Sequence, residues 1–194
     1  MTFDPALRYR EHVDTMVSKA YKVLGFVMRC TKQIDDVDTS KALYCSLVRS
    51  TLEYCSPLWN PATKVTSKYI EGIQDRFVRL LFFRHNGFYP VFPNAIAYGT
   101  LLKHLGLRSL RERRCKADLK FLYKLVNHLI DDSGLLGMLN FRVPNVRLRI
   151  IDRSFFRPDG DASTLSRIQT LFNGFPDLEL SLSLNSFLIS MRVS

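Results

Sequence analysis

Cysteine is scarce and badly spaced for metal chemistry. The four residues Cys30, Cys45, Cys55 and Cys115 contain no C-x-x-C pair and have no histidine at zinc-finger distance. That spacing removes the common structural zinc motifs and offers no disulfide framework, so neither a metal site nor a cofactor is expected, and a reducing intracellular compartment, nucleus or cytoplasm, fits best. Long apolar runs are missing too. Nothing approaches the roughly 18 consecutive apolar residues of a membrane span, and the charged stretch Arg8 to Glu11 stands where a signal peptide would carry its apolar region. No membrane span and no targeting signal are expected. Low-complexity tracts and internal repeats are also absent. Hydrophobic residues make up 46% and charged residues 24%, the composition of a chain that folds.

Negative charge is the scarce sign. Against 28 Lys and Arg stand 18 Asp and Glu, a net charge of +10, and the pI is near 9.7. Such an excess favours a polyanionic partner, nucleic acid first and an anionic membrane surface second. The field is uneven: the residues before Val143 carry 22 basic and 13 acidic side chains, net +9, and the remainder 6 against 5, net +1. The apolar stripes beside the basic residues are of ordinary core size and lack an exposed Trp and Phe face, which ranks a membrane surface below nucleic acid.

Periodicity is helical over most of the chain. From His12 to Arg29 the residues Met16, Val17, Ala20, Val23, Leu24 and Val27 form one stripe, with Lys19, Lys22 and Arg29 outside it. Asp38 or Thr39 can cap a second helix with Leu43, Leu47, Val48, Leu52 and Cys55 on its apolar face, ending at Ser56-Pro57. After the turn signal Asn60-Pro61, Thr66 or Ser67 can begin a third helix that turns Ile70, Ile73, Phe77, Leu80 and Leu81 inward, with Arg76 and Arg79 together on another side. Arg84 to Pro93 reads as an aromatic loop, Ile96 to Leu105 as a short fourth helix, and Ser109 to about Ile130 as the longest helix, with Leu110, Ala117, Phe121, Leu122, Leu125, Val126 and Leu129 buried. Asn140 to Ile151 reads as extended or loop. Two short helices are expected near Ser163 to Phe172 and Leu178 to Met191, although the period of the last is mixed.

The expected fold is therefore all-α: a helical bundle with a partly irregular helical C-terminal extension. Three segments follow from the pattern: a bundle over 1–84, an aromatic loop and long basic helix packed on it over 85–139, and the extension over 140–194.

Catalytic chemistry finds little support. The acid pairs Asp35-Asp36 and Asp131-Asp132 stand at helix ends, where carboxylates serve as caps, and His12, His85, His104 and His128 are scattered. A site assembled from His85, His128, Asp118 and Cys115 would need distant residues that no motif brings together. No catalytic or metal-binding residue is nominated, and no small-molecule substrate is expected. Trp59 is read as a cap on the bundle core before a base-stacking residue. Phe82, Phe83, Phe88, Tyr89 and Phe92 interleave with Arg79, Arg84 and His85, which suits a loop sealing the bundle more than base stacking.

The basic helices are the candidate site. In Arg108 to Lys116 five of nine residues are Arg or Lys at a helix start, where positive charge opposes the macrodipole, so a phosphate is a reasonable counter-charge. The candidate nucleic-acid contacts are Lys19, Lys22, Arg29, Arg76, Arg79, Arg108, Arg111, Arg113, Arg114 and Lys116. Contacts of this kind hold RNA, DNA or a hybrid duplex without reading its sequence.

Several blocks occur in an order similar to a known family. They are LRYREHVD (Leu7 to Asp14), KAYKVLGFVMR (Lys19 to Arg29), ALYCSLVRSTLEYCSPLWNP (Ala42 to Pro61), YIEGIQDRFVRLL (Tyr69 to Leu81), LGLRSLRERR (Leu105 to Arg114), FLYKLVNHLID (Phe121 to Asp131) and NFRVPNVRLR (Asn140 to Arg149). RIQTLFNG and LNSFLISM continue the likeness into the tail. The chain thus resembles, over nearly its whole length, the region downstream of the palm in reverse transcriptases of non-LTR retrotransposons, the jockey-like LINE group in particular. The resemblance implies a polymerase thumb that closes on a template-primer duplex, followed by a helical extension. The family's catalytic Tyr-x-Asp-Asp turn is not in this sequence and would lie upstream of Met1, so the chain is expected not to be an RNA-directed DNA polymerase by itself but to act beside a separate palm. The alternatives are an element-derived helical scaffold for a protein partner, or an inert remnant.

Overall fold

The computed structural model describes residues 9–34, 36–60, 63–90, 95–141, 156, 163–175 and 177–191. These are helical, as the periodicity implies, and among them the sole β-type pairing is one isolated bridge between Phe141 and Phe156. Two compact units divide the chain, Met1–Arg114 and Cys115–Ser194. The pattern-based segments ended instead at 84 and 139. The division falls inside one continuous helix, whose apolar positions supply Leu110 to one core and Leu119, Leu122 and Leu125 to another.

In the first unit α1 (Arg10–Cys30) buries Met16, Val17, Ala20, Leu24 and Val27 of the expected stripe; Val13 is buried in addition, and Val23 is only half-buried. Its C-terminal carbonyls are closed from a distance. The Arg84 guanidinium donates to the Met28 carbonyl at 2.6 Å and to the Thr31 carbonyl and hydroxyl at 3.1 and 2.9 Å, supplying cationic donors where a helix end needs them.

The next helical run differs from its expected register. It starts as α2 (Val37–Leu43), passes through a π-helical turn at Tyr44–Arg49 and ends as α3 (Ser50–Glu53). Its N-cap is Asp36, whose carboxylate accepts from the Asp38 and Thr39 backbone N–H groups at 3.3 and 2.8 Å, rather than Asp38 or Thr39. The buried residues are Ser40, Tyr44, Val48 and Leu52, spaced by four, while Leu47 and Cys55 face solvent. In an α-helix a four-residue step overshoots one turn by about 40°, so that spacing would spiral off the core. The wider π-turn takes up the excess and holds all four on one side. Cys55, at φ 52, then breaks the run, and Ser56-Pro57 opens the single turn α4 (Ser56–Trp59) instead of closing a helix. Trp59 is buried, and its indole N–H donates to the Tyr54 carbonyl at 2.7 Å.

Thr63 caps α5 (Lys64–Asn86), which begins before Thr66 and runs past Leu81 to Gly87, whose φ of 76 forms the left-handed C-cap. Arg84 to Asn86, expected in the loop, are thus helical. Ile70, Ile73, Phe77 and Leu81 are buried and Leu80 is half-buried. Short α6 (Tyr98–His104) adds Leu101 and Leu102, and α7 (Leu110–Val126) begins after Ser109, whose hydroxyl accepts from the Glu112 N–H at 3.1 Å. α7 stops short of Ile130: His128 sits at φ 54 and Leu129 is exposed.

In the second unit the Cys115–Val126 part of α7 packs with α8 (Ser133–Gly137), α9 (Thr164–Asn173) and α10 (Leu184–Ser190) around Leu122, Tyr123, Phe156, Ile168, Phe172 and Phe187. Asp132 caps α8, accepting from the Leu135 N–H at 2.9 Å. The Tyr123 hydroxyl donates to the Leu182 carbonyl at 2.6 Å, and the Asn127 amide to that of Leu180 at 3.0 Å. Most of the segment expected to be extended, 142–151, lies outside the described residues.

Candidate nucleic-acid interface

The outer face of α1 follows from its inner one. Lys19, Lys22, Phe26 and Arg29, spaced i, i+3, i+7 and i+10, share the side away from the buried stripe, and all four are exposed. Lys32, just beyond the helix, is exposed as well. No acidic residue occurs from Thr15 to Ile34, so within that window these four cations have no neighbour of opposite charge in the sequence. Two residues of this surface, Phe26 and Lys32, are missing from the candidates read off the sequence. The signal that would have found them is the acid-free window itself.

On α5, Arg76 is exposed beside a groove of about 470 Å³ between α1 and α5, lined also by Tyr21, Leu24, Gly25, Met28, Phe77 and Leu80. Arg79 is held differently. Its Nε donates to both Asp75 carboxylate oxygens at 2.9 Å and its Nη1 to the Pro90 carbonyl at 2.6 Å, which fastens the segment after α5 to the helix. Those donors leave Arg79 a fold-stabilising residue and remove it from the interface.

The start of α7 is balanced from within the fold. The counter-charge there comes from the protein: the Glu71 carboxylate on α5 accepts from the backbone N–H groups of Leu110 and Arg111 at 2.9 and 3.0 Å, and from the Tyr98 hydroxyl at 2.6 Å. A phosphate is not required to balance that helix end. The same carboxylate joins a wider chain of polar groups, since the Gln74 amide donates to Tyr98 Oη at 3.0 Å and to the Arg108 carbonyl at 2.9 Å, and accepts from the Tyr44 hydroxyl at 3.1 Å. Burial pushes the Tyr44 phenol up, and burial with the Glu71 hydrogen bond does the same for Tyr98. Both therefore act as neutral donors.

Around this helix end the arginines have separate fates. Arg113 forms a two-point pair with Glu53, through Nε and, at 2.8 Å, through Nη2. That bonding holds its pKa above the ordinary arginine value. Arg114 is 1% exposed and donates to the Asn60 amide oxygen at 3.2 Å and the Ser67 hydroxyl at 3.0 Å, so its guanidinium cannot reach a bound phosphate. Arg108 and Arg111 remain on the surface, the former 3.4 Å from Glu112, and Lys116 is half-buried. Of the ten sequence candidates, then, α1 gathers Lys19, Lys22 and Arg29 on one face, Arg76 stands beside the neighbouring groove, and Arg79, Arg113 and Arg114 are built into the fold. A single-letter pattern could not separate Arg113 and Arg114, because their partners Glu53, Asn60 and Ser67 lie 47 to 60 residues away in the chain, whereas Asp75, the partner of Arg79, is only four residues away.

The aromatic segment shows mixed roles. Phe82 is half-buried against Phe88, whereas Phe83, Phe88 and Tyr89 are each somewhat over 40% exposed, and Phe92 lies outside the described residues. Among the described residues no group of three His, Cys, Asp or Glu side chains could hold a metal ion, and no helix is long and apolar enough to cross a membrane. No family model, curated protein or solved structure matches the chain.

Proposed function

We propose that this chain is a nucleic-acid-binding helical module equivalent to the thumb and tail of a non-LTR retrotransposon reverse transcriptase. It grips a template-primer duplex through α1, carries out no catalysis itself and works beside a palm inside the cell. The observation that carries the reading is the acid-free stretch of α1 from Thr15 to Cys30, with Lys19, Lys22 and Arg29 aligned over roughly 15 Å of its outer face. Along each strand of a duplex a phosphate recurs about every 3.4 Å of helix axis, so a rigid row of this length can meet two or three of them. The row touches charge and not base edges, which makes binding indifferent to sequence.

The test is binding of the whole chain to an RNA–DNA hybrid duplex across a salt series, beside a variant with Lys19, Lys22 and Arg29 changed to Ala. A slope of log affinity against log salt that flattens by about two to three in the variant supports the reading. A slope unchanged by the triple substitution removes α1 as the contact, and an absence of binding at low salt overturns the proposal.

A further inference from the structure

The groove between α1 and α5 is chemically unlike the lysine row beside it. Its floor is Leu24 and Phe77, both buried, and its walls are half-buried Tyr21, Met28 and Leu80. Gly25 lines it, and a Cβ there would stand 3.6 Å from Arg29 Nη1, while a Cβ at Gly72 on α5 would stand 3.7 Å from the Tyr21 hydroxyl. The first distance means that the Arg29 side chain folds back along α1 over a residue that lines the groove. Arg76 lines the opposite wall, so guanidinium groups flank the apolar floor on both sides.

The apolar surface continues along α5. Tyr69 is 46% and Phe83 41% exposed, and with Gly72, Arg76 and Leu80 they occupy one face of the helix over about 21 Å. Nucleic acid has no use for an aliphatic floor of this kind. Base stacking needs an exposed aromatic face, whereas Phe77 is fully buried and the Tyr21 hydroxyl is turned to Gly72. Leucine and methionine walls suit the side chains of a packed helix, and methionine adapts readily to them.

We propose that this groove is a docking site for an acidic amphipathic helix of a partner protein. The partner lays residues at i, i+4 and i+7 onto Leu24, Met28 and Leu80, and its carboxylates meet Arg29 and Arg76. Charge complementarity selects that partner: the local surface is cationic from Thr15 to Ile34 without an acid, so a basic helix of the same apolar pattern is repelled.

The experiment uses the full chain and a synthetic helical peptide of about 18 residues with Leu at i, i+4, i+7 and i+11 and Glu on both flanks, followed by backbone amide shifts. Shifts are expected at Tyr21 to Met28 and Arg76 to Phe83. Gly25→Leu, which fills the groove from an α-helical position with room for a side chain, should weaken the peptide at least about tenfold, and so should Arg76→Glu. A peptide with Lys in place of Glu should bind R76E better than it binds the natural chain. Equal binding of the Glu and Lys peptides, insensitivity to both G25L and R76E, or no shifts at millimolar peptide would each overturn the assignment. Groove shifts produced by a single-stranded oligonucleotide and not by the acidic peptide would overturn it in favour of nucleic acid.

Discussion

Glu71 carries more of the first unit than any of the arginines that surround it in sequence. Its two oxygens receive two backbone N–H groups and a phenol, and they tie α5 to α6 and to the start of α7. Replacing it with Ala leaves the Tyr98 hydroxyl and two helix-start amides without that acceptor. The expected cost is about 2 to 3 kcal/mol, visible as a lower urea midpoint, with Glu71→Gln losing less because its amide oxygen still accepts. Equal midpoints for the natural chain and the Ala variant would contradict the role. Asp36 offers a pH-dependent counterpart. Hydrogen bonds from the Thr39 side chain and backbone hold its carboxyl below the ordinary value of 3.8. Because the folded pKa is the lower one, the ionised cap favours folding above the unfolded pKa, and that contribution is lost as the pH falls through the folded value. Asp36→Asn keeps a good cap without a titrating group, so its unfolding midpoint should fall less steeply below about pH 4 than that of the natural chain.

Among the elements, legibility followed the range of the interaction. α1 was readable apart from Val13, which is buried but was not on the expected stripe, and Val23, which is only half-buried, because its buried stripe obeys the α-helical period and the lysines take the remaining face. The run from Val37 to Glu53 was readable as a helix but not in register. Tyr44 was absent from the expected face although it is fully buried, stacked 4.1 Å from Phe77. A π-turn is set by the partner it packs on, and nothing local announces it. α7 was placed correctly at Ser109, yet its arginines were misjudged because their carboxylates and amides arrive from α3, α5 and the turn after α4. The stacked pair gives a test at this scale. Tyr44→Phe should cost about 1 kcal/mol, the net worth of the hydrogen bond to Gln74, while Tyr44→Ala should cost about 3 to 5 kcal/mol by opening a cavity over Phe77. A near-neutral Ala variant would mean that the π-turn does not depend on this contact.

At the scale of the molecule, charge is divided as unevenly as structure. Met1–Arg114 holds 18 basic and 10 acidic residues, net +8, and Cys115–Ser194 holds 10 and 8, net +2. The compact units therefore bring to a polyanion very different long-range attraction, and the first should account for nearly all of the salt dependence. The distinction is measurable without cutting the chain. Changing Lys120 and Lys124 of the second unit to Gln should leave the salt slope of hybrid-duplex binding within error of the natural chain. Changing Lys19 and Lys22 removes the same formal charge but should flatten the slope by about two, since ion release counts contacts made and not charges carried. Equal flattening by both pairs would mean that net charge alone drives any association with the duplex, and would count against a dedicated binding face on α1.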